Sequence, residues 1–139
     1  MIMQNDITPK RTNVVFGNDS VVIRKYFSGI PGGRTLDCND FPEDNIYAGH
    51  VIIKKADGNY APMPIVAATD SESAKYAALP DGAAYKGVLY RSISKDKPAA
   101  SIMTHGIVNP TLTPYPMDGI MEDFTAAVST ITFEQDEEA

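Results

Sequence analysis

His50-Val51-Ile52-Ile53-Lys54-Lys55-Ala56-Asp57-Gly58-Asn59-Tyr60-Ala61-Pro62-Met63 is the stretch on which the fold turns. Its first half is a short β-branched run, and its second half carries Tyr60 ahead of two prolines, Pro62 and Pro64. Asp-Gly between β-rich runs is a strong local hairpin signal, because a tight two-residue turn needs positive φ at both positions. Proline has no amide hydrogen, so the returning run belongs at a sheet edge or leaves the sheet. A β-hairpin with one edge strand is therefore the expected nucleus.

Further strands are expected on either side of it. Tyr85–Ile93 and Ala100–Asn109 are β-rich runs joined by the turn Lys95-Asp96-Lys97-Pro98. Ser71–Ala78 reads as one or two helical turns stopped by Pro80-Asp81-Gly82. Asp118 is placed to cap a short helix from Met121 to Val128, and Ser129–Phe133 closes as a strand. Upstream, residues 1–13 are polar and aperiodic, as in an extended arm. Val14-Val15-Phe16 and Ser20–Phe27 flank Gly17-Asn18-Asp19, a pattern that predicts a second hairpin. A flexible connector, Ser28–Arg34, and an acidic stretch, Asp37–Asp44, follow. The reading is a mostly β chain with short helices: an arm and hairpin over 1–45, then a β-rich domain with an acidic tail over 46–139.

Composition narrows the function. The chain has 139 residues, 43% hydrophobic, which suits one compact domain with an extension. Net charge is −6, and the basic residues fall in pairs (Lys10-Arg11, Arg24-Lys25, Lys54-Lys55), unlike the clusters that release counterions from nucleic acid. No nucleic-acid partner is expected. No stretch approaches the roughly 18 apolar residues of a membrane span, so no membrane partner is expected either. Met1–Asp6 lacks the features of a secretory signal, which predicts a cytoplasmic site of synthesis.

Catalytic patterns are thin. His50 and His105 both fall in predicted strands, without the i, i+4 spacing of a helical metal site, and read as ordinary hydrogen-bonded histidines. Cys38 is the single cysteine, so it forms no intrachain disulfide, and no feature beside it activates a thiolate. Gly29-Ile30-Pro31-Gly32-Gly33-Arg34-Thr35 superficially resembles a phosphate loop, but no Lys-Ser/Thr follows. The acids Asp37, Asp40, Glu43 and Asp44 lack the order of a calcium loop. Neither an enzyme, a metal nor a cofactor is expected.

Three segments resemble the head-decoration (cement) proteins of lambda-like bacteriophages. They are Ile46–Ile53 with the return Gly58–Pro62, then Pro80-Asp81-Gly82-Ala83-Ala84-Tyr85-Lys86-Gly87-Val88-Leu89, then Ala99–Asn109. They span roughly residues 46–109, and their order and spacing carry the resemblance. The resemblance implies a β-tulip-like domain that trimerises on the outer capsid surface of a virion. Its partner would be the major capsid protein, and its N-terminal arm would run over the shell. The chain differs from that pattern in its longer N-terminal region and in having only Pro114-Tyr115-Pro116 where the family has a proline-tryptophan region. A β-rich leader is suited to pairing with an exposed strand edge. Val14, Val15, Phe16, Val21, Val22, Ile23, Tyr26 and Phe27 are the expected capsid-binding residues. The competing readings are a phage head fibre or host-surface glycan-binding module, for which seven tyrosines supply aromatic platforms, and a small trimeric β nucleotide hydrolase.

Overall fold

The computed structural model describes residues 19–134, and the chain is mostly β. A single helical turn, α1 (Asp19–Val22), leads into β1 (Ile23–Gly29), followed by β2 (Arg34–Thr35), β3 (Asn45–Ile46), β4 (Val51–Lys54) and β5 (Tyr60–Pro62). Next come β6 (Ile65–Val66), β7 (Lys75–Tyr76), β8 (Ala84–Leu89), β9 (Ile93–Ser94), β10 (Ala99–Ala100) and β11 (Ile102–Val108). Helix α2 (Met121–Ala127) and β12 (Ile131–Phe133) close the order.

The main sheet runs β1-β11-β8-β4-β5, with β12 parallel to β11 and taking up the side of β11 that β8 leaves. Strand β4 lies inside the sheet and is buried on both faces. Val51 and Ile53 enter one hydrophobic cluster, and Ile52 enters the other. That two-sided burial is why the run reads as continuous apolar sequence with no polar alternation. Helix α2 and the β6–β7 pair cover the first face. Leu36, Cys38, Phe41 and Ile46 cover the second, against Ile52, Leu89 and Ile102.

The β4–β5 hairpin forms where expected, and β5 with Pro62 is an edge strand. Its turn is one residue longer than expected. The Gly58 amide donates to the Lys55 carbonyl (2.9 Å) and Gly58 has φ 93°, giving a loop Ala56–Gly58 with a left-handed glycine at its end. The Asp57 carboxylate accepts from the Asn59 amide at 2.9 Å.

Three expectations are corrected. Residues 20–22, expected as the start of a strand, belong to the helical turn Asp19–Val22, and β1 pairs antiparallel with β11. Ile23 lies opposite Val108, and the Asn109 amide donates to the Val22 carbonyl at 2.8 Å. The other half of the expected upstream hairpin, Val14–Phe16, lies outside the described residues. Second, Ser71–Ala78 is not helical: Lys75–Tyr76 pairs with Ile65–Val66, and the Tyr76 ring is buried in the core. Third, the division at residue 45 cuts through one core. Strand β1 belongs to the main sheet, and the 30–46 segment is bonded to the rest through β2–β10, β3–β9 and the Asp37 amide on the Tyr60 carbonyl (2.7 Å).

Close backbone approach fixes the β1–β11 seam. A Cβ at Gly106 would sit 2.4 Å from the Lys25 carbonyl oxygen and 2.4 Å from the Met103 sulfur. Gly106→Ala is expected to cost about 1–3 kcal/mol as an overpacked site. Urea unfolding reads this directly, and an unchanged midpoint would contradict the seam.

Candidate interaction surface

The exposed segment of β1 is the most conspicuous surface feature. Among the described strands its only neighbour is β11, so β1 is the sheet edge opposite β5. Its pairing carries three register shifts. Five successive residues, Arg24 to Ser28, are solvent-exposed. A strand lying on a core alternates between buried and exposed. Here none of the five is buried, although β1 stays paired with β11 as far as Gly29, so beyond Ile23 the strand is a surface edge.

This edge carries aromatic rings. Tyr26 is 42% exposed and stacks on Tyr90, with ring centroids 4.4 Å apart; the Arg91 guanidinium lies 5.1 Å from the Tyr90 ring. Phe27 is 52% exposed and packs on His105 at 4.8 Å, with the Lys25 ammonium 5.9 Å from its ring. Beyond Gly29 the chain turns sharply. The Ile30 amide donates to the Ile102 carbonyl (3.0 Å), and the Gly33 amide to the Ile30 carbonyl (3.0 Å). Gly33 has φ 67°, and a Cβ there would press on the Ala100 carbonyl. An open groove of about 620 Å³ lies between this turn and Ala99–Ile102, with Tyr26 among its lining residues. Arg34 reaches back to donate to the Gly33 carbonyl (2.6 Å) and the Pro31 carbonyl (3.2 Å). The glycine-rich stretch therefore builds a groove wall between two strands, and no helix follows it.

None of the described strands contains Asp or Glu, so the described acids lie on turns, connections and the two helices. Arg24 and Lys25 lie on β1, Lys86 on β8, Arg34 on β2 at the groove, and Arg91 on the connection beside Tyr90.

A second polar feature is internal. His50 is fully buried, with Phe41, Tyr76 and Tyr115 around its ring at centroid distances of 5.2, 5.1 and 5.5 Å. Its Nε2 lies 2.9 Å from the Met63 carbonyl oxygen, which can only accept, so Nε2 carries the proton. Nδ1 has no hydrogen-bond partner among the described residues. Burial holds the imidazole pKa down to about 4. It is a core histidine just before β4, with one of its two nitrogens satisfied.

The expected contact residues separate. Val14, Val15 and Phe16 lie outside the described residues. Val22 and Ile23, 3% and 6% exposed, face their own core, which corrects their assignment to a contact surface. A Cβ at Gly49 would strike Val22, which shows how closely that side chain is seated. Val21, Tyr26 and Phe27 are exposed. Tyr90, Arg91, Arg34 and His105 join them, and no local sequence signal marks these four as neighbours of β1.

The remaining candidates have structural surroundings. Burial pushes the Cys38 thiol up, which keeps it protonated near neutral pH. The hydrogen bond from Lys55 holds the Asp37 carboxyl below its usual range, helped by the Asn39 amide. Among the described residues no group of three or more His, Cys, Asp or Glu side chains is placed to hold a metal ion, and no helix is long and apolar enough to cross a membrane. Comparison of the chain with protein-family models, curated proteins and solved structures finds no match.

Proposed function

We propose that the chain is a structural virion protein that binds the outer surface of a phage capsid and stabilises it by bridging neighbouring capsid subunits. The observation that carries the reading is the exposed edge strand β1, with Tyr26 and Phe27 exposed on it and Val21 exposed in the helical turn just before it. An edge strand is a template for one more strand, and its exposed aromatic rings supply side-chain contacts beside that backbone. Burying Tyr26 and Phe27 under a capsid subunit contributes on the order of 1 kcal/mol each. Three copies acting together, as a trimer, multiply such weak contacts through effective concentration. A β-tulip-like arrangement and a leader that runs over the shell complete the proposal.

Because Val22 and Ile23 are core residues, deletion of the leader has to stop before Asp19. The sharper test is a Tyr26→Ser/Phe27→Ser double variant of the full chain, mixed with empty phage heads and sedimented. Occupancy is expected to require about thirtyfold more protein, ~2 kcal/mol, with the fold intact. Undiminished occupancy, or no binding by the parent chain, sinks the reading. The Tyr26–Tyr90 shelf beside the groove favours one alternative, a fibre or host-surface glycan-binding module. Binding of the isolated protein to host cells, competed by glycans, would select it.

A further inference from the structure

We infer that Asp118-Gly119 is a site of spontaneous backbone modification, at which the folded chain converts aspartate to isoaspartate ahead of its other Asp-Gly steps. The inference is independent of the assembly reading. The reaction needs no reagent beyond solvent water. The Gly119 amide nitrogen attacks the carboxyl carbon of the Asp118 side chain and a C–N bond forms. The carboxyl hydroxyl leaves with the amide proton as water. One water then opens the resulting five-membered succinimide ring. Addition at the side-chain carbonyl restores aspartate. Addition at the main-chain carbonyl breaks the original peptide C–N bond, so the chain now runs through the side chain and is one methylene longer. Glycine permits the attack because no Cβ shields its nitrogen.

The sequence has three such steps, Asp57-Gly58, Asp81-Gly82 and Asp118-Gly119, and all of these residues are exposed. The fold separates them. In the β4–β5 turn the Gly58 amide makes the closing bond to the Lys55 carbonyl (2.9 Å), so the nucleophile is occupied. The Asp57 carboxylate is held too, by the Asn59 amide at 2.9 Å. In the turns Pro80–Ala83 and Met117–Ile120 the closing bonds come instead from the Ala83 and Ile120 amides, each at 3.0 Å. The glycine there sits one place earlier, where a turn leaves its amide unbonded. Gly82 is nonetheless pinned: its φ is 79°, and a Cβ on it would lie 2.8 Å from the Ala56 Cβ. Gly119 lies outside the left-handed region and has nothing within 4 Å of its Cβ position. Asp118, expected as a helix cap, makes no cap bond to α2. Among the described residues neither its carboxylate nor the Gly119 amide has a hydrogen-bond partner. Of the three steps, only this one has both reacting groups unbonded and the backbone between them unobstructed. Met117 and Ile120, 2% and 8% exposed, anchor the two ends of the turn in the core cluster that also holds Phe124. An extra methylene between the anchors moves one of them off its seat, so isomerisation loosens α2.

The test ages the full chain at neutral pH and body temperature, once folded and once in strong urea. Isoaspartate is then quantified at each Asp-Gly step by proteolytic digestion and electron-transfer mass spectrometry. In the folded chain Asp118 is expected to convert at least about threefold faster than Asp57 or Asp81, the factor set by one occupied hydrogen bond or one pinned turn. In urea the three rates are expected to converge, since glycine follows each aspartate. A lead by Asp57 or Asp81 in the folded chain, no isoaspartate at Asp118, or an unchanged ratio in urea overturns the inference. Asp118→Glu, at an exposed position, is expected to fold as the parent does and to accumulate no isomer there, because its longer side chain closes a six-membered ring far more slowly. Ageing is expected to lower the urea midpoint of the parent and to leave that of Asp118→Glu in place. Equal losses in the two chains would overturn the link between this step and α2.

Discussion

Phe124→Ala is expected to lower the unfolding free energy by about 3–5 kcal/mol, the range for removing a large aromatic side chain from a packed core. Phe124 is the one buried residue of α2 and is fully enclosed. Its ring meets Tyr85 of β8 edge-on at 5.5 Å and Phe133 of β12 at 5.8 Å. Helix α2 has seven residues, begins at Ile120 without a side-chain cap, and has no basic residue in its last turn. A helix that short does not hold itself together in water, so its order comes from docking. Truncating Phe124 therefore removes the ring's contacts and the reason for the helix to remain on the sheet. Strand β12, tied to β11 in parallel register, shares that loss through Phe133. Since a domain of this size holds about 5–15 kcal/mol in total, the variant stands near the threshold of folding. The urea midpoint is the readout, with exposed Thr125→Ala as the control expected to stay within about 0.5 kcal/mol. A loss below about 1 kcal/mol for Phe124→Ala would show that α2 contributes little to the core.

What the sequence revealed and what it hid divide along a physical line. Val51-Ile52-Ile53, Gly58 and Pro62 act locally: a run buried on both faces stays apolar throughout, a left-handed turn residue must be glycine, and a proline must sit at an edge. Those features were legible. Leu36, Cys38 and Phe41 were hidden, because they are separated by acids and turn residues and show neither the strand nor the helix period. They nonetheless cover one face of the sheet, so the stretch that reads as an acidic loop is part of the core. Lys75-Tyr76 was hidden for another reason. Alanines around it favour helix, and only the tertiary need to bury Tyr76 overrides that preference. At the candidate surface, Tyr26 and Phe27 were found because β-rich residues are conspicuous. Val22 and Ile23 were misassigned because exposure within a run depends on where β1 leaves the core. The partners Tyr90 and His105 are more than sixty residues from Tyr26 and Phe27 in sequence, and pairing at that distance leaves no local trace.

The fold is also expected to weaken sharply in acid through one side chain. His50 is buried in its neutral form with a pKa near 4, against about 6.5 in an unfolded chain. Between those values the unfolded chain takes up a proton that the folded chain refuses, so stability rises with pH across the window and is lost as pH falls from about 6.5 toward 4. Each pKa unit is worth 1.36 kcal/mol, so the full window corresponds to about 3 kcal/mol. The cause is desolvation. An imidazolium would need a second acceptor at Nδ1, and among the described residues none is there, while the Met63 carbonyl already takes the proton on Nε2. The rings of Phe41, Tyr76 and Tyr115 belong to separate parts of the chain, so a charge there loosens the junction that joins them. Comparison with His50→Gln isolates the effect. The amide can still donate to Met63 but does not titrate, and every carboxylate contributes equally to both proteins. The parent is expected to lose about 3 kcal/mol more than the variant between pH 7 and pH 4 in urea titrations at matched salt. Parallel pH profiles for the two proteins would mean that the ring reaches water before the chain unfolds.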